Sequence, residues 1–244
     1  METTSLSRRE GQVVHEVRSR DIVVFTPRDV ARFLGTSRLN AHRIISSMKR
    51  KGLVRGVERG KYLLTEAWDE LDVYEIVPEV FKPSYIGFWS ALHYHGMTDQ
   101  VPRTVFVATT KRRRPLRMRG QAVRYVTIKA RLFFGYERFG KVIVSDREKT
   151  VIDCLRHLEH CGGVGQVYEA VSDELDPGRM VDYCVRTRSS SIASRLGYLM
   201  ERRGLDFEKD RLRAMLKTYT RLDPGGGWSG LEPDWKLYVN RDLP

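Results

Sequence analysis

The stretch from Thr26 to Leu64 constrains the fold most, because its caps, glycines and apolar spacing all call for two short helices followed by a hairpin. Thr26 can cap the unpaired amides of a helix start, Pro27 suits a first helical position, and Asp29 favours the positive end of the helix dipole. Val30, Ala31, Phe33 and Leu34 supply an inward face, and Gly35 stands where a chain leaving a helix often needs positive φ. Thr36 or Ser37 then caps a second helix, with Ala41, Ile44, Ile45 and Met48 at 3.6-residue spacing and Gly52 at its end. Leu53-Val54 and Tyr62-Leu63-Leu64 read as two strands joined by a basic, glycine-bearing tip from Arg55 to Lys61. With a first helix over Ser7 to Arg18 and a short strand at Ile22 to Phe25, residues 1–66 have the pattern of a winged helix-turn-helix.

Its second helix has a polar outer side that could enter a major groove. Asn40, Arg43, Ser47 and Arg50 form a stripe, with Arg38, His42 and Ser46 beside it, and such side chains reach base edges or phosphates. Arg55, Arg59 and Lys61 would be the contacts of the wing. Between Arg38 and Lys61 eight Lys or Arg face one acid, Glu58, a net +7 within a chain of net charge +12. A solvated helix face usually mixes signs, so this balance makes double-stranded DNA the expected partner, with a protein-docking winged helix as the alternative.

At 244 residues the chain is too long for that module alone. Residues 67–83 carry Asp69, Glu70, Asp72, Glu75 and Glu79, followed by Pro83, and read as an acidic linker interrupted by Pro78. Residues 84–244 read as an α/β domain, giving an α+β protein overall. Strands are expected at Thr104–Thr109, Ala122–Ile128, Arg131–Glu137 and Lys141–Val144, as a mainly antiparallel meander, with a terminal edge strand at Trp235–Val239. Helices at Ile86–His95, Asp146–His157, Pro177–Val185 and Ser189–Arg203 would cover this sheet, and Asp223-Pro224-Gly225-Gly226-Gly227 reads as a loop. No apolar run approaches a membrane span and Met1 to Arg9 has no signal-peptide core, so a cytoplasmic protein with its three cysteines reduced is expected.

Several clusters outside the helical module could carry chemistry. Lys111, Arg112, Arg113, Arg114, Arg117 and Arg119 place six cations and no acid in nine residues. Such a segment cannot lie in a core, and a solvated hairpin and a loop touching phosphate or an acidic partner both fit it. Cys154, His157, His160 and Cys161 are all zinc-ligand types, but closed zinc sites draw on two separated pairs, so no metal is expected. Asp146, Glu148 and Lys149, and Asp234 with Lys236, are the residue types of metal-dependent nucleases. Helix capping explains the first three, and the other two lie close to the end of the sequence. No catalytic residue or cofactor is expected.

The second domain nevertheless resembles a known family. The segments Ser90-Ala91-Leu92-His93-Tyr94-His95-Gly96-Met97-Thr98-Asp99-Gln100-Val101-Pro102, Phe133-Phe134-Gly135, Asp146-Arg147-Glu148-Lys149-Thr150-Val151-Ile152-Asp153-Cys154-Leu155 and Arg195-Leu196-Gly197-Tyr198-Leu199 are similar to those of AbiEi-type antitoxins, described also as predicted transcriptional regulators of viral defence systems. The resemblance spans nearly the whole chain. It implies a repressor that binds inverted repeats in its own promoter, as a homodimer on DNA, and an antitoxin against a nucleotidyltransferase-like toxin. A stand-alone regulator without a toxin, or a DNA-targeted nuclease, are the alternatives.

Overall fold

Local hydrogen bonds place the first helices where the sequence sets them. In the computed structural model, which describes residues 5–225, 227 and 230–243, Ser7, Thr26 and Ser37 each accept from the amide three residues on and open α1 (Arg8–Ser19), α2 (Pro27–Phe33) and α3 (Arg38–Arg50). Strands β1 (Val54–Glu58) and β2 (Lys61–Leu64) pair antiparallel around the Arg59-Gly60 turn, where Gly60 takes φ 73°. Only Phe25 of the expected Ile22–Phe25 strand joins this hairpin, exchanging backbone hydrogen bonds of 2.8 and 2.9 Å with Tyr62. Val13, Val17, Phe25, Val30, Ala41, Ile45, Met48, Val54 and Leu64 close a core beneath the three helices and the hairpin.

Residues 67–83, expected as a linker, are folded instead. They contribute most of α4 (Thr65–Glu70) and all of α5 (Val73–Val80), and the first compact unit runs to Lys82. The apolar residues of α5 follow an amphipathic pattern: Val73, Ile76, Val77 and Val80 recur at i, i+3, i+4 and i+7 and are buried. Asp72 and Glu75 form the capping box that starts α5, and Pro78 is accommodated within it.

The second unit, Pro83–Pro244, is built on a six-stranded mixed sheet. Its strands are β3 (Ser84–Ile86), β4 (Thr104–Thr109), β5 (Leu116–Met118), β6 (Gln121–Thr127), β7 (Tyr136–Phe139) and β8 (Val142–Ser145), in the order β5-β6-β4-β3-β8-β7. Three of the five neighbouring pairs are antiparallel, so the sheet is mainly antiparallel, but it is not the expected meander. After β4 the chain runs through the basic segment to the edge strand β5, turns at Arg119-Gly120, and returns as β6 parallel to β4. Both turn residues have positive φ, 50° and 82°, as a two-residue hairpin of this kind requires. Residues 130–132 form a 3-10 turn, so the expected third strand starts later, at Tyr136.

Helices α6 (Phe88–Tyr94), α7 (Arg147–Arg156), α8 (Val164–Ala170), α9 (Pro177–Thr187), α10 (Ser190–Arg202) and α11 (Lys209–Arg213) complete the unit. Tyr85, Phe106, Val126 and Ile128 of the sheet region share one core with Val151, Ile152 and Leu155 of α7 and Ile192, Leu196 and Leu199 of α10. Strands β9 (Thr220–Arg221), β10 (Gly230–Glu232) and β11 (Leu237–Val239) form a separate small sheet. The expected terminal edge strand is therefore its middle strand. Gly226, in the loop expected at 223–227, lies outside the described residues. No described helix is long and apolar enough to cross a membrane.

Candidate nucleic-acid interface

The outer side of α3 follows from which of its residues the core takes. Ala41, Ile45 and Met48 are buried and Ile44 half-buried, which turns Arg38, Leu39, His42, Arg43, Ser46, Lys49 and Arg50 to the exposed side. Five basic or imidazole groups thus share one exposed side with a serine and a leucine, and no acid lies within the helix.

Two residues of the expected stripe are held elsewhere. Ser47 donates its hydroxyl to Glu10 of α1 at 2.9 Å, and the Asn40 amide donates to Thr36 in the preceding turn at 3.3 Å. Both are half-buried, so the exposed line along the helix is Leu39, Arg43, Ser46 and Arg50. Spacing in the sequence puts 40, 43, 47 and 50 together, but the partner that turns Ser47 inward is 37 residues away.

That partner organises the unit. Glu10 is 2% exposed and accepts from the Ser7 amide at 2.8 Å, from Ser47, and from Lys51 Nζ at 2.6 Å. Burial raises its carboxyl pKa, but the hydrogen bonds from Lys51, the Ser7 backbone and Ser47 more than offset this and bring it down to about 2. The carboxylate therefore joins the α1 cap to the last two turns of α3. Nothing in local spacing marks it beyond the Ser7-x-x-Glu10 capping box.

The basic residues expected at the hairpin tip divide in the same way. Arg55 and Arg59 are exposed, Arg55 with its guanidinium 5.7 Å from the Trp68 ring centre. Lys61 is instead committed inside the unit: its ammonium donates to Glu58 at 2.6 Å and to the Val80 carbonyl, and lies 5.5 Å from the Phe81 ring centre. Lys61 belongs to the packing of α5 against the hairpin, not to the outer surface of the tip. Lys51 and Lys61, with their acidic partners, are both half-buried, whereas Arg38, Arg43, Lys49, Arg50, Arg55 and Arg59 are exposed.

In the second unit Lys111, Arg112, Arg113, Arg114, Arg117 and Arg119 are exposed along the segment that leads into and out of β5. Residues of 146–155 and 195–199 contribute Val151, Ile152, Cys154, Leu155, Leu196 and Leu199 to the core of this unit. Asp146 caps α7, accepting from the Lys149 amide and from the Tyr183 hydroxyl, each at 2.7 Å. Burial raises the Asp146 pKa. Lys149 is 1% exposed, pairs with Asp153 and donates to Tyr85 at 3.0 Å, and Tyr85 donates to Asp153 at 2.7 Å. Asp146, Glu148 and Lys149 thus have partners within the fold, Glu148 accepting from the Asp176 amide at 3.0 Å. Arg195 donates to the carbonyls of Leu155, Arg221 and Leu222, and Gly197 lies against Trp235.

Cys154 and Cys161 are fully buried, and Cys161 donates to the His157 carbonyl. His157, Glu159 and His160 do come together, with His157 Nδ1 3.2 Å and His160 Nε2 3.7 Å from Glu159. The other ring nitrogens, His157 Nε2 and His160 Nδ1, are buried with no protein partner. A metal on the Glu159 side would force protons onto those two nitrogens, whereas metal-bound imidazoles use that N–H for a hydrogen bond. The cluster therefore fits a His157–Glu159 hydrogen bond with His160 packed beside it better than a metal centre.

No family model and no curated protein matches the sequence. Among solved structures, the chain is similar to the RV2827C protein from Mycobacterium tuberculosis, with 16% identity and a TM-score of 0.55 over 96% of this chain and 92% of that one. At that identity the likeness speaks for fold.

Proposed function

We propose that this protein is a DNA-binding transcriptional repressor whose first unit acts as a winged helix-turn-helix, with α3 in the major groove and the β1–β2 hairpin as the wing. The observation that carries this reading is the sorting of charge. Along α3 and the hairpin, the two cations paired with acids, Lys51 at the α3 C-cap and Lys61 in β2, are half-buried, while the exposed side keeps Arg38, Arg43, Lys49, Arg50, Arg55 and Arg59. An exposed surface of one sign attracts a polyanion, and a helix of 13 residues is long enough to span a groove. The resemblance to AbiEi-type antitoxins supports the rest of the proposal: binding of promoter inverted repeats by two copies, autoregulation, and neutralisation of a nucleotidyltransferase-like toxin in the cytoplasm.

Arg43→Ala and Arg50→Ala are each expected to weaken binding to promoter DNA by roughly 1 to 3 kcal/mol. Titrations at several salt concentrations sort the two roles: loss of a phosphate contact lowers the log–log salt slope by about 0.9, while loss of a base contact relaxes sequence preference. Equal binding by wild type and both variants would remove α3 from the interface, and binding insensitive to salt would favour a protein partner. Co-expression with the neighbouring nucleotidyltransferase, if one is encoded, tests the antitoxin role by growth rescue.

A further inference from the structure

Leu39 is the second residue of α3 and is 64% exposed. It lies on the same line as Arg43, Ser46 and Arg50, at i, i+4, i+7 and i+11, away from buried Ala41, Ile45 and Met48. A single exposed leucine is ordinary on a protein surface. This one stands among groups of the opposite kind, at the end of the helix that a groove-docked helix brings closest to base edges.

Its neighbours can hold phosphates or exchange hydrogen bonds with bases, and Leu39 can do neither. The apolar group that a major groove displays is the 5-methyl of thymine, which marks T·A against every other pair. We propose that Leu39 is a specificity-determining residue that packs on a thymine 5-methyl group. This assignment rests on the DNA reading above and adds to it what the arginines alone do not give, a preference for a base that offers a methyl.

The test uses the full chain and duplexes it enriches from a randomised library, with each thymine of the enriched site replaced in turn by deoxyuridine, which lacks only the methyl. Wild type is expected to lose about four-fold in affinity at one thymine per recognition helix, the worth of one buried methyl-sized group. Leu39→Ala is expected to bind the thymine and uracil duplexes alike, with an unchanged salt slope because no charge is removed, and Leu39→Met to keep part of the preference. The exposure of Leu39 leaves folding unaffected in both variants. If wild type tolerates every uracil, or Leu39→Ala retains the same thymine preference, the assignment falls while DNA binding stands. If the full chain enriches and binds no duplex, the DNA reading and this assignment fall together.

Discussion

Gly197→Ala is expected to destabilise the second unit by about 3 to 5 kcal/mol, far more than a methyl group normally costs. A Cβ at this position of α10 would lie 2.0 Å from Trp235 Cζ3 and 2.4 Å from two further ring atoms. Trp235 is fully buried, donates its indole N–H to Glu201 at 2.6 Å, and stacks on Phe207 with ring centres 6.0 Å apart. The fold has two responses: distort α10, or expel the ring. Expulsion costs what deleting a core tryptophan costs, about 3 to 5 kcal/mol, and this sets the ceiling. The double variant gives the sharper check. Once Trp235→Ala has removed the ring, Gly197→Ala should stabilise the helix by up to about 1 kcal/mol, its intrinsic propensity gain. Chemical denaturation of the four proteins measures both effects; a Gly197→Ala that costs the same with and without the ring would rule out the clash as its cause.

Glu10→Ala is expected to cost the first unit about 3 kcal/mol at pH 7, because it leaves Lys51, Ser47 and the Ser7 amide without their shared acceptor. The pH dependence gives a second handle. With the folded pKa depressed from 4.5 to about 2, the carboxylate stabilises the native state above pH 4.5, and that contribution fades as pH falls from there towards 2. The shift corresponds to about 3 kcal/mol. Glu10→Gln keeps the side-chain shape without the charge, so the stability gap between wild type and this variant should narrow through that acid window. Parallel pH profiles from urea melts would show that Glu10 does not titrate as described. Loss of Glu10 should also loosen α3 against α1, and DNA affinity should fall although no exposed cation has changed.

The α1–α3 and hairpin boundaries are legible in the sequence because a residue with a local physical role punctuates each of them. Ser7, Thr26 and Ser37 cap the helices, and Gly52 and Gly60 take positive φ. The 67–83 segment looks like a linker when its acids are counted, and its i, i+3, i+4, i+7 apolar set is what makes it a helix. Parallel return of β6 beside β4 is invisible in the sequence, since pairing direction depends on where the chain inserts β5 and not on the composition of either strand. Within the candidate interface, the outward arginines follow from spacing alone. The inward turn of Ser47 and Lys61 does not, because it is set by Glu10 and by α5, elements distant in sequence. Leu39 is opaque for the opposite reason: a leucine reads as core until the position of the core is known.

The edge strand β5 has a bearing on how copies of this protein behave at high concentration. An outermost strand offers unpaired backbone groups to any other strand that can lie beside it, the usual route to sheet-to-sheet aggregation. Here that strand carries Arg117, follows Lys111 to Arg114 and runs into the turn residue Arg119, so two copies meeting edge to edge would bring like charges together. The repulsion reaches about 10 Å at 0.1 M salt and shrinks as salt is added. Ionic strength therefore acts in opposite senses: the salt that loosens the hold of a cationic surface on a polyanion also removes the barrier that keeps neighbouring molecules apart in solution.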